Sequence, residues 1–175
     1  MRLIRAVSVL VLIGIMPAPA AELPSRKPGL WEVKMSFENR NVPGQTMQQC
    51  IDASTDQAMQ SNMGPYSQGA CSKRDVQRSG NSITIDSTCT FSGKTSTSHA
   101  VVTGSFDSAY TTTVTSQNES VPGGSTTMTM SAKWLGPCAA NQKPGDMIMG
   151  NGMKLNILDM QRRGPPPGMP APPPR

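Results

Sequence analysis

Hydrophobic and polar residues alternate along much of this chain with a period of two. From Leu30 to Phe37, Trp31, Val33, Met35 and Phe37 fall on one side and Glu32, Lys34 and Ser36 on the other, the mark of a half-buried β-strand. Pro43-Gly44 signals a turn, and residues 46–51 read as a second strand with Cys50 near its end. Ser54-Thr55, followed by Asp56 and Gln57, resembles a helix N-terminus; Ala58, Met59 and Met63 add a short apolar stripe before Gly64-Pro65. Residues 72–78 and 82–91 flank Ser79-Gly80-Asn81, which reads as a three-residue hairpin loop. Centred on Gly80, that hairpin places Cys71 opposite Cys89. It also sets Asp75 against Ile85 with Val76 on the other face, a conflict that a bulge or an edge position would relieve. Alternation resumes at Ala100, Val102, Gly104 and Phe106, at Tyr110, Thr112 and Val114, and at Met128, Met130, Ala132 and Trp134.

Six or seven strands joined by short turns predict a mainly β fold, an antiparallel meander curved into a half-barrel or sandwich with one short helix. The β-rich domain is expected over residues 21–140. From Asn141 the alternation fades, so 141–163 is expected to be a short helical or irregular extension, with Leu155, Ile157, Leu158 and Met160 as the apolar members of a helix. Residues 164–175 are dominated by proline, which neither pairs in a sheet nor continues a helix, and are expected to form a disordered tail.

The first twenty residues change the picture of where the chain works. Arg2 and Arg5 precede an apolar run from Ala6 to Met16, and Ala18-Pro19-Ala20 offers the small residues a signal peptidase reads. The run is too short to span a bilayer, and no later segment is apolar enough to do so. A cleavable signal peptide over 1–20 and a periplasmic or secreted mature chain are therefore expected. The four cysteines, 50, 71, 89 and 138, fit that compartment and contain no C-x-x-C pair. Two disulfides are expected: Cys71–Cys89 from the hairpin register, and Cys50–Cys138 by elimination.

The basic isoelectric point does not signal nucleic acid. Of sixteen Lys and Arg, two lie in the leader and three are Arg162, Arg163 and Arg175, which leaves eleven against eleven Asp and Glu. A duplex-binding face needs a convergent excess of positive charge.

Lys27-Pro28-Gly29-Leu30-Trp31-Glu32, opening the first strand, resembles the signature of a bacterial exported family, domain of unknown function 3617. The cysteine order and Lys133-Trp134-Leu135-Gly136-Pro137-Cys138 are similar to it as well. The resemblance implies a small periplasmic β-rich domain and supplies no catalytic residues.

Candidate chemistry is sparse. The single histidine, His99, lies among Ser96, Thr97 and Ser98 with no nucleophile elbow; catalysis would require it beside a carboxylate or hydroxyl in a cleft. Eleven methionines remain after Met1 and Met16 are set aside. Met147, Met149 and Met153 could offer thioethers to copper(I), while Met128 and Met130 share a strand face, as core or groove lining would. The sequence thus predicts a non-catalytic binding domain without a cofactor, for an apolar small molecule, a lipid-like group or an envelope protein. A methionine copper site is the alternative, and an enzyme using His99 comes third.

Overall fold

The computed structural model describes residues 23–38, 42–62, 71–91, 93–118 and 124–163. The expected leader (1–20), Met63 of the expected helical stripe, Gly64-Pro65 and the tail 164–175 lie outside the described residues.

Among the described residues nine strands and two helices follow in the order β1 (Gly29–Phe37), β2 (Gln45–Ile51), α1 (Ala53–Asn62), β3 (Cys71–Ser79), β4 (Ser82–Phe91), β5 (Lys94–Ser105), β6 (Ala109–Asn118), β7 (Ser125–Gly136), β8 (Asp146–Met149), β9 (Lys154–Asn156) and α2 (Ile157–Arg163). They build one open antiparallel sheet in the order β3-β4-β5-β6-β7-β1-β2-β8-β9. The meander runs unbroken from β3 to β7; the β1–β2 hairpin then lies against the free side of β7. The fold is mainly β, in a single sheet rather than two packed ones.

The alternating residues explain the pairing. Val33, Met35 and Phe37 of β1 stand opposite Ala132, Met130 and Met128 of β7, and these oppose Tyr110, Thr112 and Val114 of β6. One face therefore carries a continuous apolar field. It joins Ile83 and Ile85 of β4, Ala100 and Val102 of β5, and Met59 and Ile157 from the helices in one buried cluster.

The β3–β4 hairpin differs from the expected one. Ser79 pairs with Ser82, leaving a two-residue loop, Gly80-Asn81, with Gly80 at φ 55°. Two-residue loops with positive φ match the twist of paired strands, whereas ordinary type I or II turns would splay them. The resulting register sets Val76 against Ile85, and a shift between Cys71 and Lys73 brings Cys71 back opposite Cys89. A bulge thus absorbs the one-residue mismatch.

Residues 141–163, expected to be short helical or irregular, contain β8 and β9 as well as α2. Met47, Gln48 and Gln49 of β2 pair with Met149, Ile148 and Met147 of β8. Strands of four and three residues are too short to display an alternation, which is why the pattern fades from Asn141 although the sheet continues.

Cys50 is bonded to Cys138 and Cys71 to Cys89. Cys50 lies opposite Leu30, and Leu30 opposite Gly136. The Cys50–Cys138 bond therefore crosses the end of β1, tying together its two neighbouring strands. Among the described residues no helix is long and apolar enough to cross a membrane.

Candidate functional site

The apolar face of the sheet borders an open cavity of about 300 Å³. Val33 and Met35 of β1, Met128 and Met130 of β7, Val114 of β6 and Val102 of β5 form its sheet side, and Leu23 and Met59 also line it. Met35 and Met130 are directly opposed across neighbouring strands. Several lining residues, including Met35, Met128, Met130 and Phe106, stay partly exposed, so the apolar wall continues to the surface.

One end of the cavity is aromatic and polar. Phe106 stacks on Tyr110 with ring centroids 4.6 Å apart, and Tyr110 lies 5.8 Å from the fully buried Trp31. Burial pushes the Tyr110 hydroxyl above its ordinary pKa, an effect only partly opposed by the nearby Arg26 guanidinium, so the phenol stays neutral. Arg26 itself is buried and lines the cavity. Its Nε donates to Asp56 Oδ1 at 2.7 Å, its backbone N–H to Asp56 Oδ2 at 2.8 Å, and its Nη1 to Gln49 Oε1 at 2.7 Å. Gln60 Nε2 adds a third donor to the Asp56 carboxylate, at 2.9 Å from Oδ2. The ion pair is therefore satisfied inside the protein, as a buried charge must be.

Helix α1 delivers Asp56 and Met59 to this end. Its start is set by Asp52, whose Oδ1 accepts from the backbone N–H of Thr55 at 2.8 Å, while Asp52 N–H donates back to Thr55 Oγ1 at 2.9 Å. This reciprocal cap lies two residues ahead of the expected Ser54-Thr55 start, and it leaves Asp56 one turn inside the helix, facing the core.

The hexapeptide Lys27 to Glu32 supports the site without lining the cavity. Gly29 has φ 132°, and a Cβ there would collide with the Gly136 carbonyl oxygen and come within 2.6 Å of Trp134 Nε1. That Nε1 donates to the Pro28 carbonyl at 3.1 Å, and Lys27 Nζ sits 3.7 Å above the Trp134 ring. Trp31 Nε1 donates to the Lys27 carbonyl at 2.8 Å. Leu30 pairs with Cys50, and Glu32 with Lys133 across the strands. The motif thus locks the segment that carries Arg26 against β7.

A family model described as a protein of unknown function, DUF3617, matches residues 26–138. The chain belongs to the DUF3617 family. The matched DUF3617 region begins at the cavity arginine and ends at the cysteine that ties β2 to β7. No curated protein and no solved structure matches the chain.

The other candidate residues of this DUF3617 domain lie apart from the cavity. Met147 is buried in the core cluster, Met149 is half-buried and donates its backbone N–H to the Met153 carbonyl at 2.9 Å, and Met153 is 40% exposed in the β8–β9 connection. His99 Nδ1 lies 2.8 Å from Asp86 Oδ1, on the opposite face of the sheet. The pair borders a shallow depression with Lys73, Thr88, Thr97 and Thr115. Both side chains are about half exposed, at 55% and 49%, so water reaches the pair freely.

Sequence reasoning did not find Arg26, Gln49, Asp56 or Tyr110. The available signal was an arginine directly before the hexapeptide and an acid in the helix that follows β2.

Proposed function

We propose that this DUF3617 domain is an exported, non-catalytic binding module that holds an apolar small molecule or lipid-like group in its sheet cavity. The observation that carries this reading is the cavity itself, walled by methionine, valine and aromatic side chains with a few convergent polar groups at one end, the usual composition of a small-molecule site. Methionine adapts its shape to varied apolar guests. The two disulfides support a working place in an oxidising compartment, periplasmic or secreted. Native mass spectrometry of protein purified from its exporting host tests the proposal. A bound mass removed by organic extraction supports it, and a uniformly ligand-free protein that also fails to take up apolar dye counts against it.

The His99–Asp86 pair favours a second reading, acid–base chemistry on the opposite face. Exposure to bulk water weakens it, because nothing there desolvates a reacting group. Replacing His99 by Ala separates the two: ligand binding in the cavity is expected to be unchanged.

A further inference from the structure

We infer that the cavity selects an uncharged amphiphile, an apolar body bearing one neutral hydrogen-bonding head seated beside Arg26 and Tyr110. This rests on the cavity reading above and adds the chemical class of the ligand. Among the described residues the polar end contains one cation and one anion, Arg26 and Asp56, already joined by two hydrogen bonds, one from the guanidinium and one from the Arg26 backbone N–H. A carboxylate head drawn to Arg26 would also approach the Asp56 carboxylate, which is 0% exposed and has no solvent to screen it. A cationic head would meet the guanidinium in the same way. Either would bring a third charge into a site whose charges already balance, and desolvating a charge without a partner is far costlier than desolvating a hydroxyl or carbonyl.

Donors for a neutral head remain available. Arg26 Nη2 reaches the Met59 sulfur at 3.9 Å, a weak acceptor that an oxygen would outcompete. The Tyr110 hydroxyl, kept neutral by its burial, accepts from the Arg26 side chain and keeps its own proton to donate. Both residues line the cavity together with Met35 and Met130, so a head at this end leaves its apolar body among the methionines.

Displacement of the uncharged dye Nile red from the disulfide-bonded protein at neutral pH tests this, using 1-dodecanol, dodecanoate and dodecylammonium. Dodecanol is expected to displace the dye at concentrations at least about tenfold below either charged ligand, because only the charged heads lose their hydration uncompensated. Equal or stronger displacement by dodecanoate overturns the inference. Asp56→Asn leaves the guanidinium uncompensated and is expected to shift preference toward dodecanoate by about tenfold or more; an unchanged preference overturns it too. Should that variant not fold, methyl dodecanoate replaces it as the probe. The ester, with the same chain and no charge, is expected to act like dodecanol, and an ester as weak as dodecanoate overturns the inference. Dye that binds the cavity but shows no preference among the ligands defeats this inference alone. A complete failure of the dye to bind defeats the cavity reading with it.

Discussion

Asp56 accepts both the backbone N–H and the side-chain Nε of Arg26, thirty residues earlier in the chain, and is itself fully buried. The pair staples α1 to the segment that leads into β1. Its net contribution to stability is small, since each charge was solvated in the unfolded chain, but leaving one partner alone is costly. Asp56→Ala is expected to destabilise the domain by about 3–5 kcal/mol in urea unfolding. Removing both charges, as Arg26→Met with Asp56→Ala, is expected to cost less than the single change. A loss below about 1 kcal/mol for Asp56→Ala, the size typical of an exposed pair, would contradict the burial of this pair.

Gly29 and Gly80 both have positive φ, yet their surroundings differ. A Cβ at Gly80 meets nothing within 4 Å, whereas at Gly29 it meets backbone and the Trp134 ring. Gly80→Ala is expected to cost about 1–2 kcal/mol, the conformational penalty alone. Gly29→Ala is expected to cost clearly more and to disturb the Trp134 fluorescence. Equal losses in thermal unfolding would contradict the close packing at Gly29.

How much of this was legible follows from the residues. Strands β1 and β4 to β7 showed themselves because one face is apolar over many residues, as in Trp31-Val33-Met35-Phe37, and the first helix through the capping residues at its start. The β3–β4 hairpin was legible as a hairpin but not in its loop, because Gly80-Asn81 and Ser79-Gly80-Asn81 fit the same letters. Strands β8 and β9 were not, since Asp146–Met149 and Lys154–Asn156 draw their stability from pairing with β2 and each other. Methionines Met128 and Met130 were placed on one face from their spacing. The polar end escaped notice because a charged residue such as Arg26 is ordinarily solvated, and only the return of α1 over the sheet buries it.

Acid is expected to weaken the fold through two carboxylates. The Thr55 N–H and hydroxyl hold Asp52 below its ordinary pKa. At Asp146, burial pushes upward, but the Asn156 amide, the Lys154 ammonium and the Lys143 N–H outweigh it and hold the group low. Folded-state values below the unfolded ones mean the unfolded chain binds protons more readily as the pH drops. Their stabilisation is present above the ordinary carboxylate range near pH 4 and is lost as pH falls through the folded values. The urea midpoint should therefore stay level between about pH 7 and 5 in respect of these groups, then decline below about 4. Asp52→Asn with Asp146→Asn should flatten the decline. An unchanged acid slope in the double variant would contradict these assignments.

The two disulfides close loops of different length, with sequence separations of 88 and 18. In the chain-entropy view, losing Cys50–Cys138 should cost between about 4 and 5 kcal/mol and losing Cys71–Cys89 about 3. Paired Cys→Ser variants compared by urea unfolding check the order. Peptide mapping without reduction checks the pairing, and recovery of Cys50 joined to Cys71 would contradict it.

The most direct measurement is a Nile red titration of wild-type protein and Met130→Trp in the presence of a copper(I) chelator. Met130 lines the cavity and is partly exposed, so a tryptophan there should occupy the space without rebuilding the sheet. Wild type is expected to bind the dye with the chelator present, and Met130→Trp, folded by circular dichroism, to bind it at least about tenfold more weakly. Replacing Met147, Met149 and Met153 by Leu should leave binding unchanged, because Leu and Met are close in volume and apolarity. Undiminished binding by Met130→Trp, or binding that disappears with the chelator, would contradict an apolar ligand site in this cavity.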